Sequence, residues 1–177
     1  MRSLRMTFFQ IFSNDLRQPE YVHVLINPLP VYGLGMAILA LLTAFVVRSR
    51  QAQLIGLALI VISAASAWPV FIYGKKGYQR VHAMSDTVGQ AWLDAHMHRA
   101  GEFINVYYAT SALGLIAIVA LFRWPKIAPF IAAITLILSI GLIFIGGYIG
   151  YAGGKVRHRE FRNEPPPEKG MAEYHAN

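Results

Sequence analysis

The segment Ile127–Tyr151, IAPFIAAITLILSIGLIFIGGYIGY, runs for 25 residues without a charged side chain. A helix needs about 20 predominantly apolar residues to cross the hydrocarbon core of a bilayer, so this segment predicts a transmembrane helix. Three more apolar stretches precede it, at about residues 31–47, 54–73 and 103–122. We therefore predict an all-α protein, a four-helix transmembrane bundle with up-down-up-down topology and both termini on the same side.

The composition of the 177-residue chain also indicates an integral membrane protein, because 55% of its residues are hydrophobic and only 14% are charged. Basic residues beside membrane spans bind lipid headgroups, so the net charge of +7 indicates the lipid bilayer rather than nucleic acid as partner. The absence of cysteine excludes disulfides, thiolate-bound metal clusters and covalent haem attachment. Sequence signatures of phosphate binding, dinucleotide binding or nucleophilic catalysis are missing, so we expect no independent catalytic activity.

Two appendages flank the membrane domain, which we assign to residues 23–158. Residues 1–22 predict an amphipathic segment in the headgroup layer, where Arg2, Arg5 and Arg17 would meet anionic lipid, or alternatively a mobile tail. Residues 159–177 are rich in proline and charge, which predicts an extended, solvated tail with His175 as an incidental member.

The distribution of lysine and arginine leaves the orientation of the bundle open. Twelve of the sixteen basic residues lie on the side of the termini, which favours cytoplasmic termini. The other four, Arg48, Arg50, Arg123 and Lys126, crowd into the two short turns on the opposite side and favour the reverse orientation.

Proline positions predict where the first two spans are irregular. Pro28 and Pro30 cannot both lie inside a regular helix, so we expect the first span to begin near Pro30, with Asn27 as its cap. His23 would then lie on an irregular segment at the membrane interface. Pro69 predicts a kink near the end of the second span.

All six histidines and all nine carboxylates fall on the side of the termini. Asp94, His98, Glu102 and Asn105 follow steps of four, four and three residues, so they share one face of a helix. Ionisable groups inside membranes normally face the bundle interior, so we expect this stripe to point inward. His96 would then point outward, toward water.

These residues suggest a bis-histidine haem b site, which needs two neutral imidazoles, small residues along a flat cavity and cations for the propionates. His23 begins the first span and His98 the third, so the two can face each other across the bundle. His82 is an alternative second ligand. Gly146 and Gly150 give the fourth span a bare face for a flat ligand or for a packed helix. The candidate propionate partners are Arg99, Lys75, Lys76, Arg80 and Arg157.

Other interpretations of the same stripe remain open. Asp94, His98 and Glu102 could bind a divalent metal ion, His98 and Glu102 could exchange protons with a quinone headgroup, or the stripe could be a structural hydrogen-bond network. Two functions follow. One is a small electron-transfer subunit that relays electrons between a quinone or soluble carrier and other membrane subunits. The alternative is a cofactor-free accessory subunit of a respiratory, photosynthetic or transport complex.

The elements HVLINPLP, AHMHR and GGYIGYAGGKVRH resemble an uncharacterised bacterial family of four-helix membrane proteins, over about residues 22–158. That family has a His-Pro-x-x-x-His-Phe-Pro-like element before the first span, a histidine at the start of the third, and a Gly-Gly-x-x-x-Tyr closing element. His23 matches the first histidine, Pro28 replaces the second, and His98 matches the histidine of the third span. The closing element is matched by Gly146, Gly147, Tyr151, Gly154 and Val156. The resemblance implies a multi-pass protein of the bacterial cytoplasmic (inner) membrane, cytochrome b-like by analogy only.

Overall fold

The computed structural model describes residues 7–165 and Pro167, and the regular structure of these residues is helical. The elements are α1 (Phe8–Asp15), α2 (Pro19–Ile26), a π-helical turn (Leu29–Gly33), α3 (Leu34–Val46), α4 (Arg50–Ala65), α5 (Ala67–Ala83), α6 (Thr87–Arg123), α7 (Ala128–Arg157) and a 3₁₀ turn (Arg159–Phe161). Arg2, Arg5 and His175, for which we made predictions, lie outside the described residues.

Four helical rods are long and apolar enough to cross a membrane: Pro19–Val46, Arg50–Ala83, Thr87–Arg123 and Ala128–Arg157. α3 packs on α4, α4 on α6, α6 on α7, and α7 returns to α3, so the spans close a ring in chain order. This arrangement confirms the all-α, up-down-up-down bundle. It also places the first and third spans diagonally across the bundle, running in the same direction.

The helices extend well beyond the apolar segments on the side of the termini. α6 has 37 residues, which makes it about 55 Å long, whereas the hydrocarbon core is about 30 Å thick. The extra turns surround their own cluster of buried residues, separate from the core between the apolar spans, which comprises Tyr78, Trp92, Leu93, Ala95, Met97, Ala152 and Val156. The bundle therefore continues outside the apolar segments as a helical cap, formed by residues 19–30, 74–83, 87–102 and 152–157.

Proline positions interrupt the first two spans. α4 ends at Ala65, because Pro69 lacks the N–H that would bond to the Ala65 carbonyl and its ring crowds that carbonyl. This break confirms the predicted disturbance of the second span. The prediction for the first span was wrong: Pro28 and Pro30 disturb only the π-helical turn, and His23 lies before it on the regular helix α2. Asn27 is the C-cap that follows α2 rather than the N-cap of a later helix.

A single guanidinium connects the start of α6 to the end of α7. Arg162 binds both carboxylate oxygens of Asp86 at 3.0 Å, and it donates to the carbonyls of Lys155 and Val156 at 2.8 Å. Asp86 also caps α6 by accepting the Gly89 N–H at 2.7 Å. The carboxylate lies at a helix N-terminus and the guanidinium at a C-terminus, so both complement the helix dipoles. Arg162 is only 11% exposed, so the predicted solvated tail begins later than this residue.

We expect Gly56→Ala to destabilise the bundle by about 1–3 kcal/mol, because a Cβ here would lie 2.9 Å from the backbone N and Cα of Leu41. α3 and α4 would have to separate to accommodate it. Thermal unfolding of the purified protein in detergent measures the effect. Gly141→Ala is the matched control, since a Cβ at Gly141 meets nothing within 4 Å. Equal melting temperatures for the two variants would contradict the close contact between α3 and α4.

The hydrogen bonds from Arg162 hold the pKa of Asp86 below its ordinary value of 3.8. The stabilisation should therefore be complete above the ordinary pKa and disappear as the pH falls through the lowered one. We expect Asp86→Asn to melt below the wild type at neutral pH, with the difference in melting temperature closing as the pH falls through the lowered pKa of Asp86. Arg159→Gln is the control, because Arg159 also contacts Asp86 but is 78% exposed and should contribute little. A gap that stays constant with pH would show that the ion pair does not stabilise the fold.

Candidate functional site

Two histidines meet inside the bundle where the helical cap joins the apolar spans. The ring centroids of His23 and His96 lie 6.2 Å apart, and their planes are nearly perpendicular, at 81°. His96 is buried, with 8% of its surface exposed, and His23 is half-buried. They come from α2 and α6, which belong to the diagonal first and third spans. The structure thus brings together two imidazoles that are 73 residues apart in sequence.

Each imidazole is held by a helix carbonyl of the neighbouring span. His23 Nδ1 donates to the carbonyl of Val70 in α5 at 2.9 Å, and His96 Nδ1 donates to the carbonyl of Ile149 in α7 at 3.0 Å. A carbonyl only accepts, so each Nδ1 carries the hydrogen and each Nε2 keeps its lone pair in the neutral ring. Nε2 is therefore the atom of each ring that can bind a metal.

A glycine makes each of these contacts possible. In an α-helix the carbonyl of residue i points toward residue i+4, so a donor from outside must pass close to residue i+4. Gly74 and Gly153 are those residues for Val70 and Ile149. A Cβ would lie 3.0 Å from His23 Nδ1 at Gly74 and 2.9 Å from His96 Nδ1 at Gly153. Any larger residue would displace the ring from its carbonyl.

The sequence around the two acceptor carbonyls repeats. Residues 70–80 are VFIYGKKGYQR and residues 149–159 are IGYAGGKVRHR. Counted from the aliphatic residue whose carbonyl accepts, both segments have glycine four residues later, lysine six residues later and arginine ten residues later. These residues are Val70, Gly74, Lys76 and Arg80 in the first segment and Ile149, Gly153, Lys155 and Arg159 in the second. Each half of the chain therefore supplies one histidine and one carbonyl-glycine pair to hold it.

Two cavities of about 510 and 360 Å³ flank the histidine pair. The residues lining both are His23, Asn27, Gly74, His96, Met97 and Gly150. The larger cavity lies in the helical cap, where Arg80 and Arg157 line it. The smaller reaches into the apolar bundle, between residues such as Ile104 and Tyr107. Together they form a slot that is apolar at the inner end and basic at the outer end.

The two arginines of the outer cavity are fixed by neighbouring groups. Arg80 Nη1 lies 2.7 Å from Glu20 Oε1, and Arg157 Nη1 donates to the Met84 carbonyl at 3.3 Å. Gly77 lets α2 approach α5 here, since a Cβ at Gly77 would lie 3.0 Å from the Glu20 backbone. Both guanidiniums retain further N–H donors, so the outer end of the slot can receive carboxylates of a ligand.

The predicted pair of His23 with His98 is not the pair that the structure assembles. His98 is exposed, because two residues along a helix turn the side chain by about 200° from His96. Glu102 and Asn105 are also exposed, so the prediction that this stripe points into the bundle was wrong. The buried face of α6 carries Tyr107, Thr110, Gly114 and Ala117 instead, and His96 lies on that face.

The other predicted residues have varied surroundings. His82 packs on the Tyr78 ring at 5.5 Å and lines neither cavity. Arg99 donates to the Tyr148 carbonyl at 2.9 Å and stacks on that ring, away from the outer cavity. Gly146 packs against the Val31 side chain, whereas Gly150 is open and lines both cavities.

The predicted divalent-metal site is not assembled. Asp94 accepts a hydrogen bond of 2.5 Å from the Tyr78 hydroxyl, and His98 and Glu102 face outward. Among residues 7–165 no three histidine, aspartate, glutamate or cysteine side chains gather closely enough to hold a metal ion. A metal at this end of the bundle would have to bring most of its ligands with it.

Sequence reasoning missed His96, Gly74 and Gly153. Two signals could have found them. His96 is in register with the small residues that form the buried stripe of α6. The repeated aliphatic-x-x-x-Gly-x-Lys pattern marks the two glycines at equivalent places in the two halves.

No family model, curated protein or solved structure matches this chain. The four-helix architecture is therefore the only feature that supports the resemblance to a bacterial four-helix family. The chain is a multi-pass integral membrane protein with four membrane-spanning helices.

We expect ¹⁵N NMR of histidine-labelled protein to show His23 and His96 as Nδ1–H tautomers, because each Nδ1 donates to a carbonyl. Gly153→Ala should shift the His96 signals, because the added Cβ would displace the imidazole from the carbonyl of Ile149. Gly147→Ala should leave them in place, since a Cβ at Gly147 meets nothing within 4 Å. Signals of an Nε2–H tautomer in the wild type would refute this hydrogen-bonding pattern.

Proposed function

We propose that this protein is an integral membrane cytochrome, which holds one haem b between His23 and His96 and passes single electrons near one membrane surface. The observation that carries the proposal is the paired imidazoles. Two imidazoles on opposite sides of one metal ion, with metal–nitrogen bonds of about 2 Å, have ring centres about 6 Å apart. The 6.2 Å separation of His23 and His96 agrees with that arrangement.

The donor set favours haem over a metal ion held by protein alone. Structural zinc sites use four protein ligands and catalytic ones three, whereas no three histidine, cysteine, aspartate or glutamate side chains gather among the described residues. A haem macrocycle would supply most of the ligands of its own iron, so His23 and His96 would be enough to hold it. The chain has no cysteine, so the haem would be held without covalent attachment.

The slot around the histidines suits a flat amphipathic ligand. Gly150 leaves open space where the two cavities meet, and the inner cavity offers apolar contacts from residues such as Ile104. Arg80 and Arg157 supply positive charge in the outer cavity, where propionates could be bound. These features provide the three components that the site needs: axial donors, an apolar slot and cations at one end.

The carbonyls behind the rings would tune the axial ligands. A ligating histidine commonly donates its second N–H to a carbonyl, which fixes the ring orientation and raises its basicity. Val70 and Ile149 provide this contact for both rings. A bound haem would supply one-electron redox chemistry. If His23 and His96 both held the haem, it would pass electrons rather than bind a substrate at its metal.

An absorption spectrum of protein expressed with adequate haem tests the proposal. We expect a Soret band in the wild type that His23→Ala and His96→Ala abolish, because each variant removes an axial ligand. His98→Ala, on the exposed side of the same helix, should keep the full band and is the matched control. Low-temperature electron paramagnetic resonance should show the strongly anisotropic low-spin signal of nearly perpendicular imidazole planes.

Two results would overturn the assignment. One is a colourless wild-type protein under haem-replete conditions. The other is a Soret band that survives in both His23→Ala and His96→Ala. If His96→Ala does not fold, imidazole added to folded His96→Gly should restore the Soret band of protein-bound haem. Failure of that rescue would count against the site.

A further inference from the structure

The exposed face of α6 carries a polar and small-residue surface that the proposed haem site does not use. We call it the α6 stripe, and its residues are His98, Glu102, Asn105, Ala109 and Ala112, all of which are exposed. Within residues 7–165, none of its three polar side chains has a hydrogen-bond or ion-pair partner. Polar groups in membrane spans are normally satisfied by other protein groups. Asn105, which lies inside the apolar segment 103–122, therefore lacks such a partner among the described residues of a single chain.

The inner part of the α6 stripe, formed by Asn105, Ala109 and Ala112, lies against membrane rather than solvent. Asn105 lies inside the apolar segment 103–122, and Glu102 and His98 lie at its edge. Ala109 and Ala112 continue the same face deeper into the bilayer. Small residues allow two helix backbones to approach closely, and polar side chains beside them can form hydrogen bonds between helices.

We propose that a second copy of this chain docks on the α6 stripe and forms a symmetric dimer. Two copies in one membrane share the same orientation, so their α6 helices would run parallel, with equivalent residues at equal depth. An asparagine amide both donates and accepts, so Asn105 can pair with its counterpart. His98 and Glu102 are one turn apart on the same face, which allows reciprocal contacts between the histidine of each copy and the glutamate of the other.

This self-complementarity favours a second copy over lipid or an unrelated helix. Acyl chains offer no hydrogen-bond partner for Asn105. An unrelated helix would have to supply partners for an amide, a carboxylate and an imidazole in the matching order, which the α6 stripe does for itself. The stripe faces away from His96, so the dimer proposal stands independently of the haem.

Cysteine cross-linking in native membranes tests the dimer directly, because the chain contains no cysteine of its own. We expect Asn105→Cys, Ala109→Cys and Ala112→Cys to form disulfide-linked dimers upon mild oxidation. Met36→Cys is the matched control, since Met36 is 67% exposed and follows His23 by 13 residues, as Ala109 follows His96. We expect at least a several-fold higher dimer yield at Ala109 than at Met36.

Replacement of Asn105 by leucine in the Ala109→Cys protein separates specific pairing from chance collision. We expect a several-fold lower dimer yield, because the leucine removes the amide pair while keeping the helix apolar. An unchanged yield would refute the polar pairing. Equal yields at Ala109 and Met36, no dimer at any stripe position, or a product that links this chain to a different protein would each overturn the proposal. None of these results depends on the Soret band.

Discussion

The structure depends on how two imidazole N–H groups are satisfied inside an apolar bundle. A buried donor without a partner is costly, and helix carbonyls are the acceptors that a bundle interior provides. Each such carbonyl already accepts one hydrogen bond within its own helix, so the imidazole must use the second lone pair of the oxygen. To reach it, the ring must lie beside the residue four positions further along that helix. Gly74 and Gly153 leave that position free. The spacing between α2 and α5, and between α6 and α7, follows from this contact.

Because both halves of the chain make the same contact, the two rings are positioned in the same way. The α2–α5 half orients His23 through Val70, and the α6–α7 half orients His96 through Ile149. In each ring, hydrogen bonding at Nδ1 leaves the lone pair of Nε2 available, so a ligand between the halves would meet similar environments on its two faces. The halves differ at their outer ends, where only the first has the Glu20–Arg80 ion pair beside the slot.

Hydropathy was sufficient to predict the bundle but not the site. The four spans are apolar runs near the length a bilayer requires, so their number and topology follow from composition alone. The helical cap was not predicted because its helices pack through residues such as Trp92 and Tyr78, which do not raise the mean hydropathy of a segment. His98 was preferred to His96 because we assumed that polar residues point inward. That assumption fails on α6, where the inward face is made of small and aromatic residues and the polar face is free.

The ends of α6 and α7 are tied together so that His96 and its acceptor cannot separate easily. Lys155 is 2% exposed, lies over the Trp92 ring at 4.3 Å and binds Glu164 at 2.7 Å. Arg162 joins the last carbonyls of α7 to Asp86 at the start of α6. Lys155 and Trp92 lie within about one turn of Gly153 and His96 on α7 and α6, and Asp86 and Arg162 lie just beyond the ends of these helices. A cofactor site needs its donors held in place before the ligand arrives, since a loosely held ring loses both geometry and affinity. Lys155 and Arg162 therefore support a site whose cavities they do not line.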